Sequence, residues 1–255
     1  MSTVDDEAMQ DEFDVLPGWT ADAVEELGGD YALPAACRGS GTPAALRWLC
    51  EQLGLAAGAT LLDSGAGVGG PAELAAREYG VSPTLVDPMP GACRAAGRLF
   101  GRPTAAAGGE RLPFPEGAFD ASWSIGVLCT IDDKPPVVHE LRRVVRDGSP
   151  VGLLVFVRTV ESLPDQPSGN SFPTRDEVAS LLAAARLELV AEAALADFPD
   201  PPQEWQQRLD RLDEVMERDH GEDERFLTAG RQQQTMGRLF GDGLVEGRLF
   251  AARAR

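Results

Sequence analysis

Basic residues, histidine and long apolar runs are what this chain has least of. Its 255 residues hold 23 Lys or Arg against 41 Asp or Glu, a formal net charge of −18 at pH 7. A surface of that sign repels phosphate backbones and anionic headgroups. No nucleic-acid partner and no membrane partner are therefore expected. Two histidines, His139 and His220, are too few for an imidazole-rich metal centre, and no metal site is expected. The four cysteines, Cys37, Cys50, Cys93 and Cys129, form no C-x-x-C pair. They read as reduced thiols of a cytoplasmic protein, not as a disulfide frame. No stretch approaches the roughly 18 consecutive apolar residues of a membrane span, and the acidic N-terminus lacks the pattern of a secretory signal.

What is present is a globular composition, 43% hydrophobic, organised around residues 59–76. Ala59-Thr60-Leu61-Leu62 reads as a buried strand that ends at Asp63. Gly65, Gly67, Gly69 and Gly70 follow, and Pro71 suits the first turn of a helix. Strand, glycine turn and helix together make a nucleotide-type binding turn, in which the backbone lets a ligand approach and the helix start offers free N–H groups. The spacing differs from the G-x-G-x-x-G fingerprint of dinucleotide sites. An Asp at the strand end would oppose a pyrophosphate, whereas it suits a ligand that carries a cation.

This Asp63-x-Gly65-x-Gly67-x-Gly69 pattern resembles the first motif of the class I S-adenosylmethionine-dependent methyltransferases. Further matches follow in order. Asp87 closes a second strand, 83–87, at the distance where an acid grips ribose hydroxyls in such folds. Gly108-Gly109-Glu110-Arg111-Leu112-Pro113-Phe114 is similar to a segment of the ubiquinone/menaquinone-type subfamily, and Glu140 and Arg143 match its E-x-x-R pattern, read here as a structural ion pair. The chain departs from the family in carrying glycine at both 108 and 109, where an acid usually meets the adenine amino group, and in carrying Cys129-Thr130 where histidines are common.

The resemblance implies a Rossmann-like α/β fold: a seven-stranded, mostly parallel sheet with the last strand antiparallel, helices on both faces and a helical lid. Residues 1–18 are expected as a disordered acidic tail, with Thr20 capping a short helix to about Leu27. Residues 19–255 are expected as a single domain, with lid elements 19–42 and 198–241. S-adenosylmethionine is the implied cofactor, with S-adenosylhomocysteine as product. Asp63, Gly65, Ala66, Gly67 and Gly69 are implied for its amino-acid end and Asp87 with Pro88 for the ribose. Met89, Gly109 and Glu110 are implied for adenine, and Ser124 lines the cavity.

Tyr31 and Arg38 are expected to close over the cofactor. His220, in the lid hinge, is the candidate catalytic histidine, with Tyr31 beside it; His139 reads as a helix-face residue. The function expected is methyl transfer to a small-molecule substrate, a specialised natural product. The alternative is a methyltransferase-like protein that binds the cofactor but catalyses a non-methylation reaction or only binds.

Overall fold

The computed structural model describes residues 4–255, with side chains from Glu12 onward. In chain order the elements are α1 (Val4–Leu27), α2 (Ala32–Ala36), α3 (Pro43–Leu53), β1 (Thr60–Ser64), α4 (Gly70–Tyr79), β2 (Ser82–Asp87), α5 (Pro90–Phe100), β3 (Thr104–Ala106), β4 (Ala121–Ile125), α6 (Lys134–Arg143), β5 (Pro150–Arg158), α7 (Arg175–Ala184), β6 (Leu187–Ala194), α8 (Gln203–His220), α9 (Glu224–Gly241) and β7 (Val245–Ala254).

The strands form one sheet in the order β3-β2-β1-β4-β5-β7-β6, with β7 antiparallel to both of its neighbours. This is the expected seven-stranded architecture, and it reverses direction between β1, which leads out to β2 and β3, and β4. The crevice at that switch point, beyond the carboxyl ends of the strands, is where such sheets bind ligands. Alternation along β1 divides its side chains between two apolar layers. Leu61 joins the layer of α3 and α4 with Leu46, Leu49, Leu74 and Trp123; Leu62 joins the layer of α6 and α7 with Val138, Leu141 and Leu182. Local signals set many boundaries. The Thr42 hydroxyl caps α3 by accepting from Ala45 N, and Thr174 and Glu177 form a reciprocal capping box at α7.

The N-terminal expectation is corrected. The described part of the 1–18 segment is the first half of α1, and Thr20 lies inside that helix instead of capping a shorter one. Pro17 interrupts its hydrogen bonding without ending it. The helix is held by tertiary contact: Asp14 Oδ1 accepts from Gly91 N, in the first turn of α5, whose own N-cap Met89 supplies no side-chain bond. An acid there meets free N–H groups and a positive dipole end. Gly91 is needed for the approach, because a Cβ on it would run into the backbone of Asp14. Ala23, Val24 and Trp19 of α1 then pack with Leu212, Val215 and Met216 of α8, so the elements 19–42 and 198–241 form one helical layer.

Candidate active site

Asp63 is the next-to-last residue of β1 and is 1% exposed. Neither carboxylate oxygen has a hydrogen-bond partner among the described residues. Burial pushes its pKa up to about 7; the Trp123 indole opposes that rise and the charge of Asp87 adds to it. A buried carboxylate without partners is costly unless something ionic completes it. The turn above it is tightly built. Gly65 N and Ala66 N both donate to Val86 O, at 2.8 and 3.0 Å, and Gly69 N donates to Ala66 O at 2.8 Å. Gly65, Gly67 and Gly69 all have positive φ. A Cβ on Gly65 would meet Val127, and one on Gly69 would meet Leu85 at 2.5 Å, whereas nothing lies within 4 Å of the place a Cβ would take on Gly67. The turn is packed from behind and open at Gly67.

Asp87, 7% exposed, is satisfied in the opposite manner. Its Oδ2 accepts from Gly67 N at 2.8 Å and its Oδ1 from Met89 N at 2.9 Å. It thereby ties the open glycine to the end of β2 and still has lone pairs for two hydroxyls. Burial raises its pKa, the two N–H groups lower it and nearby Asp14 raises it. Met89 is half-buried and Pro88 exposed beside it. A Cβ on Gly109 would lie 3.1 Å from Ser64 Oγ and 3.3 Å from Val137, a tight fit that those neighbours would have to ease. Glu110 folds back, and its carboxylate thus lies where a side chain at position 108 would be. Ser124 does not line a cavity with its hydroxyl, which is buried and donates to Ser64 O at 2.9 Å, joining β4 to β1.

Three candidates are placed elsewhere by their contacts. Arg38 pairs with Asp213 of α8 at 2.7 Å; an acid on the facing helix takes the guanidinium. His220 stacks on Trp19 with ring centroids 3.9 Å apart and planes 8° from parallel, and Arg225 lies over the other ring system of that pair. Tyr31 packs into the same α1–α8 layer. None of these contacts includes a strand-end residue. His139 is exposed, its Nδ1 2.7 Å from Pro135 O. Glu140 and Arg143 do pair, at 2.7 Å, and fasten the 112–114 segment: Glu140 accepts from Leu112 N at 2.7 Å and Arg143 donates to Phe114 O at 2.8 Å. Sequence reasoning missed Asp14 and the part played by Trp123. Asp14 is 77 positions from its partner, and no local pattern announces such a pairing.

Residues 62–155 match the family model of the methyltransferase domain. That stretch is similar to a methyltransferase domain. Within it, 102 residues are 34% identical to the 2-methyl-6-phytyl-1,4-hydroquinone methyltransferase of Synechocystis, a match that covers 38% of this chain and 31% of that protein. The chain thus spans about a third of the length of this curated relative, which is of the quinone type suggested by residues 108–114. Solved structures show the fold over more of the chain. The cyclase SpnF superposes with a TM-score of 0.67 at 22% identity, covering 83% of this chain and 80% of its own. The geranyl diphosphate C-methyltransferase of Streptomyces coelicolor A3(2) gives 0.61 at 17%, covering 83% and 79%. The cyclopropane synthase MmaA2 of Mycobacterium tuberculosis gives 0.65 at 18%, covering 82% and 83%. The residues matched by the family model include the glycine turn, Asp63, Asp87 and Trp123, while α1, α8 and α9 lie outside them.

Proposed function

We propose that the protein transfers a methyl group from S-adenosylmethionine to a small-molecule acceptor, a specialised metabolite. The observation that carries this reading is the buried, partnerless carboxylate of Asp63 beneath a glycine turn that is open only at Gly67. Those groups fit the cofactor: a carboxylate for its ammonium end, bare backbone for its carboxylate, and Asp87 for the ribose hydroxyls. Met89 and the displaced carboxylate of Glu110 suit the adenine, the first by thioether packing on the ring and the second as an acceptor for the amino group. Bound there, the cofactor supplies a methyl group already activated on a sulfonium, so holding the acceptor in line supplies much of the rate.

The acceptor side is supported by the packing of α9. Met236 and Leu239 of that helix cluster with Cys129 and Phe172, and Phe240 meets Phe156 edge-on at 5.3 Å. An acceptor with an apolar body suits such a wall. Burial pushes the Cys129 thiol up to about 12, so it stays protonated and is no general base. With His220 and Tyr31 in the helical layer, the reading is of positioning without an enzyme base, and that layer acts as the lid. The four thiols, three of them buried and none in a disulfide, support a reducing, cytoplasmic setting.

The test is calorimetric titration with S-adenosylmethionine and S-adenosylhomocysteine, followed by acceptor screening for methylated product by mass. Micromolar binding of both ligands and a product heavier by one methyl group are expected. Binding without methyl transfer to any acceptor class would overturn the transfer step, and binding of neither ligand would reduce the likeness to one of scaffold.

A further inference from the structure

Asp63 has a neighbour that the cofactor reading does not use. Trp123 is the residue beside it in β4, in the register Asp63↔Trp123, so both side chains leave the sheet on the same face. Trp123 is fully buried. Its ring is fixed by its surroundings. Leu46, Leu49 and Leu53 of α3 pack in the same layer, and Gly152, the next residue across in β5, leaves the space that lets Leu53 and Leu49 close over the strand. A Cβ on Gly152 would lie 2.9 Å from Leu53 and 3.4 Å from the Trp123 Cβ.

The indole Nε1–H is as partnerless as the carboxylate beside it. A buried Trp normally finds an acceptor for that donor, and a plain apolar side chain would fill the same layer without leaving a donor stranded. The other groups that face Asp63 are the Cys37 thiol after α2, which burial keeps protonated, and Asp87 of β2. Neither donates to Asp63. Trp123 is thus the strong side-chain donor facing Asp63 among the described residues, the Cys37 S–H being a weak one.

We propose that the indole N–H of Trp123 is a positioning group for Asp63, closing a hydrogen bond to one carboxylate oxygen while the other receives the cationic end of the ligand. The proposal rests on the cofactor reading for the ligand but not for the contact itself. A donor on one oxygen fixes the plane of the carboxylate, and a bond to the charged form favours that form. The strand ladder, which holds both residues, sets the distance between them, so no loop has to move for the bond to form.

The experiment is proton–nitrogen correlation NMR of the apo-protein labelled with 15N at the indoles. Four signals are expected, from Trp19, Trp48, Trp123 and Trp205. W123F identifies the one of interest, and W19F, W48F and W205F identify it by elimination should W123F not fold. The Trp123 signal should move with pH along a single titration with its midpoint near 7, and D63N should abolish that movement. A saturating amount of S-adenosylhomocysteine should flatten it in the wild-type protein. In calorimetry W123F should weaken S-adenosylhomocysteine binding about tenfold at pH 6, and less at pH 8.5 where protons no longer compete for Asp63. A Trp123 signal indifferent to pH, or unchanged by D63N, overturns the proposal whether or not the ligand binds. A wild-type protein that binds no ligand yet shows the titration leaves the contact standing and removes the cofactor reading instead.

Discussion

The carboxyl ends of β1 and β2 carry the same residue type in two opposite states. Asp63 is buried with both oxygens bare, while Asp87 is buried with each oxygen accepting a backbone N–H. The same burial acts on both, and the bonds from Gly67 and Met89 oppose it at only one of them. The difference separates two jobs. Asp87 builds the site, because it holds the glycine turn against β2 before any ligand arrives. Asp63 has no cationic partner among the described residues, and neither of its oxygens accepts a backbone N–H there. A reading that treats both as cofactor residues of one kind overlooks that the first also stabilises the fold and the second works against it.

The largest effect should come from the turn that both acids serve. Gly67→Val would place a branched side chain at φ +54° into the open space over the turn. S-adenosylmethionine binding should fall by at least about a hundredfold, roughly 3 kcal/mol, and calorimetry that shows normal affinity would mean the turn is not the pocket. The two acids should then part company. Asp87→Ala should lose cofactor affinity and also lower the unfolding free energy by about 2–4 kcal/mol, since two backbone N–H groups lose their acceptor. Asp63→Asn should reduce affinity by about tenfold or more with chemical stability unchanged or raised, because it removes an uncompensated buried acid. Equal stability losses in the two variants would erase the distinction.

A pH series tests the same contrast without changing the ligand. The folded state holds the Asp63 proton up to about 7, well above the usual carboxylate value of 3.8. The unfolded chain releases it first, so this group's contribution to stability falls as pH rises from about 4 to about 7 and is level beyond. Its size is on the order of a few kcal/mol. Denaturation midpoints of the apo-protein should show that decline, Asp63→Asn should flatten it, and cofactor affinity should rise over the same window. A decline that survives in Asp63→Asn would assign it to Asp87, whose shift has the same direction.

How much of this was legible in the sequence follows from the range of the interactions. The turn 63–70 is local: glycine spacing, a strand-end acid and a helix-starting proline each act within a few residues. The strands that end at Asp63 and Asp87 were likewise legible as short apolar runs closed by an acid. Gly108 and Gly109 announced a missing acid, but the return of Glu110 into that space depends on side-chain direction. The helical layer was illegible for a different reason. Its contacts join Arg38 to Asp213 and Trp19 to His220, pairs separated by most of the chain, and residues 1–18 read as a tail because acid-rich composition hides a helix that is held by docking.

The smallest effect concerns that docking. Asp14 reaches from α1 to cap α5 beside Asp87, so α1 and the β2 end share one contact. Asp14→Ala removes an N-cap acceptor and should cost about 1 kcal/mol in chemical denaturation. Among the described residues no hydrogen bond ties the β1 end to α1, which makes the consequence directional. Proteolysis within α1 should speed up in Asp14→Ala and slow again when cofactor is added, since a ligand held at both Asp63 and Asp87 restores closure that the cap alone no longer maintains. Unchanged protection of α1 in the apo variant would show that the α1–α8 packing of Trp19, Ala23 and Val24 holds the helix by itself, and that the acid at position 14 serves only α5.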